Sequence, residues 1–195
     1  MDLTLKNIKD ELTNKIKMTF QDKNLDFKNK DVSINGQDYF LCRNVVSTIP
    51  EMVAVEERSQ PEEDVWNNKT FHLRMRDQKK SLYFGLRKND RLIAFIGCRV
   101  NASMTRMRVM RLSVLPRYGN QDVGTYLVMS LLNKAQQAGI RSVFVQVRND
   151  QIKLGEFYRE IGFKKVETQK SSQSESEMKE FQFLVNENKD KIINE

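Results

Sequence analysis

Histidine occurs once and cysteine twice in this 195-residue chain, and each scarcity removes a class of chemistry. The single His72 sits in the run FHLRM without a serine or cysteine partner at motif spacing, so a hydrolase triad has no footing. Cys42 and Cys98 lie in apolar runs with neither CxxC spacing nor a histidine-rich neighbourhood. That argues against a disulfide framework or a zinc site and predicts two reduced, buried thiols. Proline (3) and glycine (8) are too few for a collagen-like or low-complexity chain, and no internal repeat is visible. No stretch approaches the ~18 apolar residues of a membrane span. The opening MDLTLKNIKDELTNKIK mixes acids and bases instead of carrying a signal-peptide core, so the expectation is a cytoplasmic chain without a membrane partner.

What is present is a globular composition, 39% hydrophobic and 30% charged, with a formal net charge of +7. The length suits one domain plus an appendage. An excess of this sign predicts attraction to an anion: nucleic acid, a membrane surface or a polyanionic cofactor. Residues 1–38 carry equal numbers of acids and bases, so the whole excess lies further on. Arg99, Arg106, Arg108, Arg111 and Arg117 follow one another without an intervening acid, which predicts a positive edge. Residues 51–64 have the opposite sign, with Glu51, Glu56, Glu57, Glu62, Glu63 and Asp64 against Arg58. This run reads either as a solvated helix face or as the entrance for a cationic substrate.

Leu5, Ile8, Leu12, Ile16 and Phe20 recur at helical spacing and predict an amphipathic helix within an N-terminal extension, residues 1–38. The domain proper is expected over residues 39–195. Asn35-Gly36 reads as a tight turn before a strand at 39–42. Helical patterns follow at 49–57, with Pro50 in the first turn, and at 65–76. Strands are expected at 81–87 and 91–100, joined by Lys88-Asn89-Asp90, and at 107–115. Beyond a loop at 116–121, the order is helix 122–138 closed by Gly139, strand 142–147, helix 151–161 closed by Gly162, and strands at 163–167 and 181–185 around a polar loop. The fold class is therefore α/β, a mixed sheet with helices on both faces.

A strand that feeds through a short loop into a helix offers unpaired N–H groups and a positive dipole to an anion. Residues 112–163, LSVLPRYGNQDVGTYLVMSLLNKAQQAGIRSVFVQVRNDQIKLGEFYREIGF, contain such a junction. They also resemble, without a gap, the acyl-CoA-binding half of the GCN5-related N-acetyltransferases, the GNAT superfamily. The element order fits that fold over residues 39–186. The segment EERSQPEEDVWNNKTFHLRM, with Trp66 and Phe71, and the VQVRND stretch are more loosely similar to ribosomal-protein N-alanine acetyltransferases.

The resemblance implies an acetyl-CoA-dependent N-acetyltransferase in which a deprotonated primary amine attacks the thioester directly. Leu112, Ser113 and Val114 occupy the strand that pairs with the pantetheine arm. Gly119, Asn120, Gln121, Asp122, Val123 and Gly124 occupy the pyrophosphate loop, usually Q/R-x-x-G-x-G/A, and Thr125 follows. Gln151 stands where an asparagine commonly bonds the arm. Tyr158, in Phe157-Tyr158-Arg159-Glu160-Ile161-Gly162-Phe163, is in the place of the general acid that protonates the thiolate. A phenol suits that task because it stays protonated near neutral pH.

Four positions depart from the family pattern. Gly119 replaces the loop's Gln or Arg, Asp122 its first glycine, Gln146 the general-base glutamate, and Gln151 the asparagine. Asp122 either turns aside to cap its helix, with Arg117 or another arginine assisting the cofactor, or occupies the anion's own place. Gln146 cannot accept a proton, which leaves Glu51, Glu56, Glu57 or a water chain for that role. The rival reading is a degenerate, non-catalytic module of the same fold that binds RNA or protein through its arginine-rich edge. The acceptor amine and the choice between monomer and homodimer stay open at this level.

Overall fold

A computed structural model of the chain describes residues 25–166 and 178–187. The helix expected around Leu5 to Phe20 lies outside them, as does most of the polar loop before the last strand. One eight-stranded sheet runs in the order β1-β2-β3-β4-β5-β6-β8-β7. Its strands are β1 (Lys30–Ile34), β2 (Gln37–Arg43), β3 (Ser81–Lys88), β4 (Arg91–Val100), β5 (Arg106–Val114), β6 (Ser142–Arg148), β7 (Lys164–Val166) and β8 (Met178–Leu184). The helices are α1 (Ile49–Ser59), α2 (Asn68–Met75), α3 (Val123–Gln137) and α4 (Ile152–Ile161). Every pairing is antiparallel except β5 with β6.

The sheet opens before the first strand that sequence patterning indicates. In KDVSI only Val32 and Ile34 are apolar, too few for an alternation to stand out, yet β1 pairs with β2 from Lys30↔Leu41 to Ile34↔Gln37. The turn between them is the expected Asn35-Gly36, with φ of 51° and 74°. Both central residues thus take the positive φ that a tight two-residue hairpin requires. Leu25 is buried just ahead of this hairpin, and Phe27 stacks on Phe84 of β3 at 4.5 Å.

Strands β3 and β4 are almost wholly buried, as their continuous apolar runs demand of a sheet covered on two faces. On one face Phe71 of α2 meets Tyr83 and Phe95 edge to face, at 6.4 and 5.7 Å. The other face takes α3, through Val123, Leu127, Val128, Leu131, Leu132 and Ala135. Cys42 and Cys98 are buried free thiols, and burial pushes the Cys98 thiol up to about 12. Among the described residues no helix is long and apolar enough to cross a membrane.

Two irregularities shape the centre of the sheet. Gly97 pairs with Arg111 whereas the next residue, Cys98, pairs with Val109, so Met110 is an extra residue bulged out of β5. The parallel pairing of β5 with β6 covers only Arg106↔Ser142 to Arg108↔Phe144. Beyond Arg108 the two strands diverge, and among the described residues the outer edge of β5 up to Val114 has no strand partner.

Candidate active site

The divergence of β5 from β6 opens a cleft of about 440 Å³. Arg108, Met110, Arg111 and Leu112 line it from β5, and Val145, Gln146 and Arg148 from β6. Gln60 and Asp64 close it from the α1–α2 connection, and Gln151, Leu154 and Tyr158 from α4. Leu112, Gln151 and Tyr158 are therefore brought together, although 46 residues separate the first from the last. Among the described residues no group of three or more His, Cys, Asp or Glu side chains could hold a metal ion.

Tyr158 is 1% exposed, its ring set edge to face between Phe157 and Phe163 at 5.1 and 5.2 Å. Burial raises its phenol above the ordinary value, which keeps the proton on the oxygen throughout the neutral and mildly alkaline range. Gly162 closes α4 at φ 115°, and its N–H and that of Phe163 bond back into the last turn at Arg159 and Tyr158.

The loop before α3 does not line this cleft; Asp122 and Thr125 line a separate pocket of about 150 Å³ with Ile34, Tyr126 and Met129. A short 3-10 turn, Pro116–Tyr118, leads through Gly119, Asn120 and Gln121 to Asp122. Val123, Gly124 and Thr125 form the first turn of α3, where N–H groups have no carbonyl one turn back to bond. Asp122 stands at the N-cap position but does not cap: its backbone is left-handed, φ 56°, and its side chain makes no bond to the helix. Its Oδ2 instead accepts from Asn35 Nδ2 at 2.8 Å, in the β1–β2 turn. Asp and Asn enter the left-handed region more readily than most residues, so an aspartate can meet this backbone demand. A Cβ on Gly124 would meet only Phe157 and Val114, each at 3.7 Å, so packing within the chain does not require glycine there.

Glu56 is the most buried charge in the region, 0% exposed. Arg111 Nε donates to both its oxygens, at 2.9 and 2.8 Å, and Arg111 Nη2 and Ser113 Oγ donate to it as well. The Trp66 amide adds a bond of 3.2 Å, and the Arg111 guanidinium lies over the Trp66 ring. With all its partners in place, Glu56 is a structural anchor for β5 and not a free base. Glu51 pairs with Arg87 at 2.5 Å, and Glu57 is exposed on α1.

Sequence patterning also misses two polar groups, Gln60 in the cleft lining and Glu180 beside the cleft residue Gln146. Gln60 Nε2 donates to the Leu112 carbonyl at 3.3 Å and to Ser113 Oγ at 3.1 Å, so it covers part of the open β5 edge. Glu180 faces Gln146 across the β6–β8 pairing, and Gln146 Nε2 lies 3.5 Å from its Oε2. Arg108 reaches both, Nη1 to Gln146 Oε1 at 3.3 Å and Nη2 to Glu180 Oε2 at 3.4 Å. Glu180 escapes notice because the apolar pattern starts the last strand at Phe181, whereas β8 begins at Met178. The anticipated arginine edge is likewise divided: Arg111 and Arg108 are paired with Glu56 and Glu180, while Arg106 lies over Phe144 and Arg117 over Tyr118.

A family model described as the acetyltransferase (GNAT) family matches residues 50–163. The ribosomal-protein-S18-alanine N-acetyltransferase of Escherichia coli superimposes with a TM-score of 0.65 at 18% identity, covering 75% of this chain and 94% of that one. The PaiA N-acetyltransferase of Thermoplasma acidophilum, solved in complex with coenzyme A, gives 0.65 at 16% identity, over 76% and 99%. The GNAT domain of S. lividans PAT gives 0.69 at 14% identity, over 82% and 99%. No curated protein sequence matches the chain.

Proposed function

The chain belongs to the GNAT acetyltransferase family, and on that footing we propose that it transfers the acetyl group of acetyl-CoA to a primary amine, a protein N-terminus or a small-molecule amine. The observation that carries this reading is that one cleft is lined both by the β5 edge at Met110, Arg111 and Leu112 and by the buried Tyr158, while the chain leaving β5 runs directly through a short loop into the first turn of α3.

The residues fit the cofactor on two counts. The first turn of α3 offers N–H groups without intrahelical partners, and the Asp122 carboxylate is turned toward Asn35 and makes no bond to the helix end. Leu112, Ser113 and Val114 would hold the pantetheine arm along the β5 edge, with Gln60 giving up the Leu112 carbonyl. Gly119 through Thr125 would receive the pyrophosphate, chiefly through the N–H groups of Val123, Gly124 and Thr125. Gln151 would bond the arm from the start of α4. When bound, acetyl-CoA supplies the activated acyl group as its thioester.

The chain's own part is to orient the amine, take its proton and return one to the sulfur. The Tyr158 hydroxyl is the donor, kept protonated by burial. Glu180, next to Gln146, is the carboxylate that accepts the ammonium proton through an intervening water. Gln146 orients that exchange without ionising.

The test is calorimetric titration of acetyl-CoA into the full chain, followed by thiol release with a panel of amines: peptides with free N-termini, lysine peptides with blocked N-termini, and spermidine. Micromolar binding and release with one class supports the reading. Absence of both overturns it in favour of a non-catalytic module.

A further inference from the structure

We propose that Asn35, in the β1–β2 turn, is a positioning residue for the pyrophosphate loop: its amide holds the Asp122 carboxylate away from the first turn of α3, so that a negatively charged residue stands in an anion site without blocking it. The inference rests on the acetyl-CoA reading.

An aspartate at an N-cap ordinarily has an extended backbone and accepts from an N–H in the first turn. Here the backbone is left-handed, the capping bond is absent, and the carboxylate is drawn to a residue 87 positions away. The geometry of the turn sets this contact. Asn35 has φ 51° and Gly36 φ 74°, which aims the Asn35 side chain off the end of the hairpin at 2.8 Å from Oδ2.

The same hairpin braces the loop again. Tyr39 Oη donates to Gln121 Oε1 at 3.3 Å, and the Tyr39 ring meets the Tyr118 ring edge to face at 6.5 Å. Three contacts therefore run from β1–β2 to residues 118–122, and only one of them handles a charge. Released from Asn35, the carboxylate would swing toward the first-turn N–H groups and compete with, and repel, a phosphate there.

The experiment is titration calorimetry of acetyl-CoA into the full chain and three variants. Asn35→Gly keeps the positive φ of the turn and removes the amide. Asn35→Gly combined with Asp122→Asn removes the charge too, with a residue that tolerates the left-handed backbone. Asp122→Asn alone is the third.

The expected result is about a tenfold loss of affinity in Asn35→Gly, a loss of the size that one close charge contact in partial solvent produces. The double variant should regain wild-type affinity. The defect in Asn35→Gly should also shrink as salt is raised, which a lost structural brace would not do.

Equal affinity in Asn35→Gly and wild type would overturn this role and leave the enzyme reading intact. So would a double variant as weak as Asn35→Gly, since the loss would then be one of loop shape and not of charge. Failure of wild type to bind acetyl-CoA, with binding gained in Asp122→Asn, would overturn it as well, because the carboxylate would be blocking the site. Failure of every form to bind would remove the acetyl-CoA reading and this role with it.

Discussion

Gln146 and Glu180 occupy the same register position on adjacent antiparallel strands, with the amide nitrogen 3.5 Å from the carboxylate and Arg108 bridging the pair. Position 146 on β6 is thus neutral, and a carboxylate stands beside it from β8. Cross-strand neighbours on one face lie within reach of each other's side chains, which is what brings Glu180 to Gln146.

Glu180→Gln should lower kcat by about 10²-fold or more while leaving acetyl-CoA affinity within about twofold, as loss of a general base does. Gln146→Glu introduced into that variant should recover a large part of the rate, because it restores a carboxylate to the neighbouring position. Steady-state kinetics with the best amine of the panel reads both. Unchanged kcat in Glu180→Gln would exclude it as the proton acceptor.

Tyr158→Phe should lower kcat by about 10²- to 10⁴-fold with little change in acetyl-CoA affinity. Since burial raises the phenol above its ordinary value, the wild-type pH–rate profile should show no alkaline fall from this group below about pH 10. A fall at lower pH that disappears in Tyr158→Phe would show that burial does not raise this phenol, whereas an unchanged kcat in Tyr158→Phe would refute its role as the proton donor.

Removing Arg111 should damage the fold before it damages chemistry. Arg111→Met leaves the Glu56 carboxylate buried without its cation and should cost about 3 kcal/mol or more in denaturant unfolding. Arg111→Met with Glu56→Met should regain much of the loss, because well-packed apolar groups can replace a buried ion pair. A single variant as stable as wild type would show that Glu56 has access to water or another partner.

Gly97 lies under the Tyr83 ring, and a Cβ there would fall 2.0 Å from Tyr83 Cε1. Gly97→Ala should destabilise the protein by about 1–3 kcal/mol, the usual cost of overpacking a core. Chemical denaturation measures it directly, and a neutral result would mean that the ring has room to move aside.

The helices and most strands are legible in the chain because their signals are local. The run LIAFIGC reads as a buried strand and Val123-Gly124-Thr125 follows a loop at a helix start, and β4 and α3 stand where those patterns put them. The final strand and the first are less legible. Glu180 and Lys179 hide the start of β8, and Lys30 and Asp31 hide β1, since a strand with one solvated face carries charges that mask its alternation. Glu56 shows the opposite difficulty: one acid in an acidic run looks solvated, yet it is wholly buried because Arg111 lies 55 residues away in sequence and beside it in space.

By itself, then, the sequence determines the α/β order, the loop-to-helix junction at residues 116–125 and the helical placement of Tyr158, all properties of short-range pattern. Only the tertiary structure decides where the cleft opens and which polar groups meet. Strand divergence beyond Arg108 creates the space, β8 delivers Glu180 to Gln146, and the β1–β2 turn delivers Asn35 to Asp122. Those are contacts between residues 34 and 87 positions apart. Backbone pairing, not neighbouring sequence, brings such groups within hydrogen-bond distance, and so an aspartate that reads as a helix cap in the chain is, in the folded protein, a left-handed loop residue held by an asparagine from the far end of the sheet.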